Sequence, residues 1–375
     1  MRTVRILAVV VLGTLVASVG WARDGEDPVV WDVGLRLLGV DLGVGYRGFS
    51  LSPDVDTILW AYPGGGYEWL NYYREPSGAL VAPGALAGRD SFFERVEGQL
   101  QLGVEQGITW NPRTDTNGLS AFLFYRGRID YNQLNPGDLL SATSLADKDG
   151  LFLNTFVFGL TYNDELLNAN TKDYSGPHFE VSAEWGPSWF FNTVYGDSDF
   201  IRFNATARYF LPLYDAAPGS TSSVFSLYLG ENLSVDYAIG LGAPVPVYIR
   251  QTFGGRTTEP VTGLGGAVRG VDNAAYDTNF KAVNSLEVRA DLPAVILPNI
   301  VPGLVAFVDV GYYNQVGEPG IAHPGSGFVG STGAGVFLDF LDLASGAVYM
   351  TYRLDGPNAD GTFFTPILIE FGLHF

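Results

Sequence analysis

Apolar and polar side chains alternate with a period of two along most of this 375-residue chain. That spacing puts every second residue on the same face of a β-strand. Val40, Leu42, Val44 and Tyr46 alternate with Asp41, Gly43 and Gly45. Phe179, Val181, Ala183 and Trp185 alternate with His178, Glu180, Ser182 and Glu184. Ile201 to Tyr209 and Leu286 to Leu292 repeat the pattern, with Arg202, Arg208, Glu287, Arg289 and Asp291 in the polar phase. The closing residues keep it too: Ile367, Ile369, Phe371, Leu373 and Phe375 share one face. The pattern predicts about 14 strands, near 33–46, 57–69, 94–108, 119–131, 151–162, 178–187, 200–211, 224–235, 246–254, 283–292, 304–312, 333–341, 347–354 and 366–375, where any even number from roughly 12 to 16 suits an antiparallel barrel. Turn residues separate them, as in Asn135-Pro136-Gly137-Asp138 and Ala217-Pro218-Gly219-Ser220.

The same stripes could pack into the core of a soluble secreted β-protein or face lipid. Two features favour lipid. Charges fill many of the polar positions, which suits a watery lumen. Aromatic residues gather at strand ends, as in Trp185 with Trp189-Phe190-Phe191 and in Tyr209-Phe210, where an interfacial girdle would lie.

The N-terminus predicts export. Met1-Arg2-Thr3-Val4-Arg5 is a short positive segment, Ile6 to Val19 is apolar, and Gly20-Trp21-Ala22 fits a small-x-small cleavage site. Residues 1–22 are therefore expected to be a signal peptide, and 23–375 a single barrel domain. The apolar run is shorter than the ~20 residues of a spanning helix, and no later run exceeds it. Strands can cross a bilayer only as a closed barrel.

Composition sharpens this picture. Only 16% of residues are charged, against about 25% in typical soluble domains. Gly (48), Phe (25) and Tyr (20) are abundant and Cys is absent, so disulfide and thiol chemistry is excluded. A net charge of −19 excludes nucleic acid as a partner, since phosphates call for a basic surface. The acidic residues are expected in loops and on the lumen wall.

One segment breaks the rhythm. From Phe253 to Phe280 the chain runs through Gly254-Gly255-Arg256 and Gly263-Leu264-Gly265-Gly266-Ala267-Val268-Arg269-Gly270-Val271. Loops this long are usually functional or disordered, and dense glycine suits a loop folded into a confined space. A guanidinium there would be costly unless paired, and its planar fork suits a carboxylate. Glu287 and Asp309, both on the polar phase of their strands, are the candidate partners of Arg269.

These residues carry a family resemblance. Val268-Arg269-Gly270 in a long loop is followed by Asn284-Ser285-Leu286-Glu287-Val288-Arg289. Next come Phe307-Val308-Asp309-Val310-Gly311, Gly333-Ala334-Gly335-Val336 and a terminal Phe375. In order and spacing this resembles the C-terminal half of the BamA/TpsB superfamily, outer-membrane barrels that insert other barrels or secrete proteins. The resemblance covers residues 246–375. It implies that the loop tucks into the lumen, where Arg269 meets Asp309 and Glu287. It also implies that Phe371, Leu373 and Phe375 form a C-terminal assembly signal read by the barrel-assembly machinery. There are departures. Val271 stands where the family usually has Tyr or Phe, and the gap between Gly255 and Val268 is longer than usual. The first strand is expected about ten residues after the cleavage site, which leaves no room for the periplasmic POTRA domains of the family.

No enzyme signature is present. His178, His323 and His374 stand beside no Ser or Asp signature, Gly330-Ser331-Thr332-Gly333 is not a nucleophile elbow, and no His/Cys cluster has metal-ligand spacing. No cofactor or metal is expected. The implied function is assistance in inserting or translocating proteins, or lipids, at the bacterial outer membrane. The implied partners are outer-membrane lipids and client outer-membrane or secreted proteins. A passive porin-like channel or a structural barrel is the alternative.

Overall fold

The alternation of the sequence is realised in one antiparallel sheet. The computed structural model describes residues 16–17, 29–36, 39–52, 54–75, 81, 91–167, 174–216, 225–256, 263–272, 274–293, 300–314, 325–340, 344–358 and 361–371. The strands are β1 (Val16–Ala17), β2 (Val29–Arg36), β3 (Gly39–Ser52), β4 (Val55–Asn71), β5 (Phe92–Asn111), β6 (Thr116–Gln133), β7 (Gly150–Asn163) and β8 (Leu166–Leu167), then β9 (Tyr174–Gly186), β10 (Phe200–Asp215), β11 (Ser226–Gly240), β12 (Phe280–Asp291), β13 (Ile300–Asn314), β14 (Ser326–Phe340), β15 (Ala344–Arg353) and β16 (Phe364–Phe371). Two short helices, α1 (Val247–Arg250) and α2 (Gly263–Ala267), lie between β11 and β12. The sheet follows chain order from β1 to β16, with β8 paired to the side of β9. Among the described residues no ladder joins β16 to β1 or β2.

Fourteen of the described strands have eight residues or more, close to the expected number, but two local readings need correction. The single strand expected at 33–46 is two strands, β2 and β3, paired from Arg36↔Gly39 to Val29↔Tyr46. The strand expected at 246–254 does not exist: Val247 to Arg250 form α1, inside the barrel. Of the expected signal peptide the structure describes only Val16 and Ala17, paired with Gly34 and Val33; the cleavage site lies outside the described residues.

The two faces of the sheet differ as their side chains require. On β6, Leu123, Ile129 and Tyr131 point outward and are exposed, while Phe124, Arg126, Arg128 and Asp130 point inward and are buried. On β13, Leu304, Val308 and Val310 are outside, and Val305, Phe307 and Asp309 inside. An apolar outer stripe is stable only against lipid, and a charged inner face only where its charges are paired. Among the described residues no helix is long and apolar enough to cross a membrane; the spans are strands. Each long strand exceeds or approaches the ~9–11 residues that a tilted strand needs to cross.

Apart from the β2–β3 turn, connections at one end of the barrel are mostly longer than those at the other. Those after β4, β6, β9 and β11 (72–91, 134–149, 187–199 and 241–279) are long and lie at one end of the barrel. Those after β3 and β5 (53–54 and 112–115) are short and lie at the other. In outer-membrane barrels the short turns face the periplasm and the long loops face outward. The β11–β12 loop is the longest of these, and it turns inward.

Candidate functional site

The β11–β12 loop enters the lumen and is held to the wall at three separate places. The first hold is on Arg269. Its backbone N–H donates to Asp309 Oδ2 at 3.0 Å, its Nε to the same oxygen at 2.8 Å, and its Nη2 to Asp309 Oδ1 at 2.7 Å. Nη1 donates to Glu287 Oε1, whose other oxygen accepts from Arg289 Nε. All of these side chains are buried. Burial alone would lower the Arg269 pKa, but the hydrogen bond and charge of Asp309, with the charge of Glu287, outweigh it and hold the guanidinium well above its ordinary value. The group is a permanent cation in this setting.

Phe307 and Tyr349 form the shelf beneath it. The guanidinium carbon lies 3.5 Å from the Phe307 ring centroid and 5.1 Å from that of Tyr349, within cation–π range. The two rings meet edge to face at 5.5 Å. The Gly-x-Gly of β14 makes room for this pair. A Cβ on Gly333 would come within 2.7 Å of the Phe307 ring, and one on Gly335 within 2.7 Å of the Tyr349 ring. Gly311 leaves space for the loop itself, since a Cβ there would meet Leu264 at 2.9 Å and Val268 at 3.2 Å. Val268 is fully buried in an apolar cluster with Phe253, Leu264, Val271, Val283 and Val329, so Val271 fills part of that cluster with a small side chain. Gly270 turns the chain with φ +78°, and a Cβ there would lie 2.0 Å from Thr351 Oγ1. Its carbonyl accepts from Asn358 Nδ2 at 2.9 Å.

The structure thus brings together Val268, Arg269, Gly270, Glu287, Phe307, Asp309, Gly311, Gly333 and Gly335. Phe371 ends β16, but its side chain lies outside the described residues, as do Leu373 and Phe375.

Two further holds carry no local sequence signal. Arg202 Nε donates to both oxygens of Asp236 at 3.0 and 2.9 Å, and Lys281 Nζ and the Gly254 N–H donate to the same carboxylate at 2.9 Å each. Arg202 also donates to the carbonyl of Thr252, so this cluster grips the start of the loop. Arg256 crosses to the opposite wall. It pairs with Glu105 Oε2 at 2.8 Å, its N–H donates to Glu180 Oε1 at 2.6 Å, and Arg126 Nη2 donates to its carbonyl at 2.9 Å. At the outer end of the barrel Arg74 pairs with Asp277, both buried, and the Val247 N–H donates to Asp147 Oδ2 at 2.6 Å. Burial pushes the Asp147 carboxyl above the usual carboxylate range, against the opposing pull of Arg250. Among the described residues no His/Cys/Asp/Glu group is arranged to hold a metal.

Residues 96–340 match the model of the Omp85 superfamily domain. The chain belongs to the Omp85 superfamily. It is an outer-membrane β-barrel. In fold it is similar to BamA from Haemophilus ducreyi lacking POTRA domains 1–3, with a TM-score of 0.52 at 12% identity. That match covers 92% of this chain and 64% of the other. CdiB from Acinetobacter baumannii matches with a TM-score of 0.49 at 14% identity, over 92% of this chain and 52% of that one. The chain thus spans less than two thirds of the length of these two proteins. Among curated proteins none matches it.

Proposed function

We propose that this Omp85 barrel assists the insertion or translocation of proteins, or of lipids, at the outer membrane. The observation that carries this reading is the Arg269 clamp. A loop that begins and ends on the barrel wall is drawn through the lumen and locked to β12 and β13 by a buried guanidinium with two carboxylates. A wide passive pore would be obstructed by an arginine-locked segment lying across its path. A barrel whose work is done by its wall and its edges needs the wall held in shape from within. The last strand fits that role. Among the described residues its ladder with β15 contains a register slip between Tyr349 and Thr351.

The test is depletion of the protein followed by quantification of outer-membrane proteins and lipids. Loss of particular barrels or secreted proteins, or lipid in the wrong leaflet, is the expected result and names the client. An unchanged membrane with altered uptake of small solutes would overturn the reading in favour of a porin-like channel.

A further inference from the structure

The β9–β10 connection, residues 187–199, folds down against the outer wall of the barrel. β9 ends at Gly186, which leaves β7 unpaired on that flank from Gly150 to Thr155. Asn192 takes the place of the missing ladder. Its Oδ1 accepts from the Asn154 N–H at 2.6 Å, and its Nδ2 donates to the Asn154 and Pro187 carbonyls at 2.9 Å each. The Phe152 N–H donates to the Tyr195 carbonyl at 2.8 Å. Phe190 stacks on Phe156 with centroids 5.0 Å apart and meets Tyr125 edge on at 6.0 Å. Both of these partners belong to the outward phase of their strands.

Outside this docked base three apolar side chains project. Trp189 is 68% exposed, Phe191 62% and Val194 70%. Phe191 has φ +63°, a left-handed conformation that is unusual for a bulky residue. From Gly186 to Gly196 no residue is charged. The height of the loop is fixed by register: it lies beside residues 150–155 of β7, and on the other side of β7 Phe152 and Gly150 pair with Ile129 and Tyr131. Those two are exposed on the outer face and mark the upper part of the lipid-facing band.

We propose that residues 189–194 form a foot inserted among the acyl chains of the outer leaflet, fixing the depth of this side of the barrel. Lipid is the occupant because the patch continues the lipid-facing wall without a break, through Trp185–Trp189 at 5.9 Å and Phe156–Phe190. It also lacks any charge that could set the register of a protein partner. Burial of such surface in hydrocarbon is favourable, whereas leaving it in water on a long outer loop is not.

The chain has no cysteine, so Val194→Cys accepts a single nitroxide in the full-length protein reconstituted in phospholipid vesicles. The expected result is that oxygen, which partitions into lipid, relaxes the label more than a water-soluble nickel chelate does. The reverse is expected for Asn135→Cys in the β6–β7 loop. Chelate dominance at 194, or exclusion of both reagents by a protein cover, overturns the proposal. As a second reading, quenching of tryptophan emission by bromine-labelled acyl chains should fall in Trp189→Phe; an unchanged quenched fraction would also overturn it. Neither measurement depends on what the barrel transports.

Discussion

Arg269 and Asp309 stand forty residues apart in the chain and share three hydrogen bonds inside the barrel, one from the backbone N–H and two from the guanidinium. The carboxylate therefore fixes the main chain of the loop as well as its charge. Asp309 sits between Phe307, which floors the guanidinium, and Gly311, which clears space for Val268 and Leu264. Three inward positions of one strand thus build the cradle.

Removing the arginine leaves Asp309 buried without its counter-ion and Glu287 with Arg289 alone. Breaking such a pair costs about 3–5 kcal/mol. Arg269→Ala should lower the temperature at which the folded band converts to the unfolded one on a semi-native gel. Arg269→Lys, which keeps the charge and loses the fork, should fall between it and the parent. Equal behaviour of all three would refute the clamp.

Gly270→Ala should destabilise by roughly 1–3 kcal/mol, because alanine is strained at positive φ and its Cβ would overlap the Thr351 hydroxyl. Adding Thr351→Ala should recover part of the loss and not all of it. The overlap with oxygen goes, while the Thr351 Cβ position, 2.7 Å away, and the backbone strain remain. A double-mutant cycle read by thermal unfolding checks the coupling.

Arg256 ties the loop to the far wall, so Arg256→Ala should loosen the loop where it crosses the lumen. In planar bilayers its current should be larger and noisier than that of the parent protein. Replacing residues 247–277 by a short Gly/Ser linker should give a larger and steadier step. No change in conductance with the linker would mean that the loop does not obstruct the lumen.

Asp147 supplies a pH test. Burial raises its folded-state pKa above the unfolded value of about 3.9, so the neutral carboxyl is the form the fold prefers. Its contribution is fully present below about pH 3.9 and is lost as pH rises through the raised folded value. Asp147→Asn keeps an oxygen for the Val247 N–H and does not titrate. The stability of the parent relative to this variant should therefore decline as pH rises through that window and then level off. A difference that grows with pH would contradict the assignment.

The barrel was legible in the sequence because each wall strand has two unlike environments, and a period of two reports them directly. The reading failed where that premise fails. Val247, Tyr248, Ile249 and Arg250 are buried on every side, so their apolar run looks like a strand and folds as a helical turn. Within 33–46 the strands β2 and β3 meet at the Arg36–Gly39 pair, and the intervening Leu37-Leu38 carries no turn residue in the sequence. Of the site, Arg269 stood out because its neighbours form a recurring motif. Arg256, Arg202 and Arg74 did not, because their partners lie on other strands and loops that only the folded sheet brings near. Arg74 and Asp277 are 203 residues apart, and no local pattern points from one to the other.

The route of the β11–β12 loop also constrains how the molecule comes to exist. Its residues touch strands as early as β4 and β5 and as late as β15, yet both of its ends are rooted in the wall. A tube completed first would have to admit a polar, arginine-bearing segment through its mouth and strip it of water before any partner was met. It is simpler for the sheet to curl around a loop already seated on β12 and β13, with each arriving strand supplying the next carboxylate. The loop would then brace the wall from within, while strand number and tilt set the diameter.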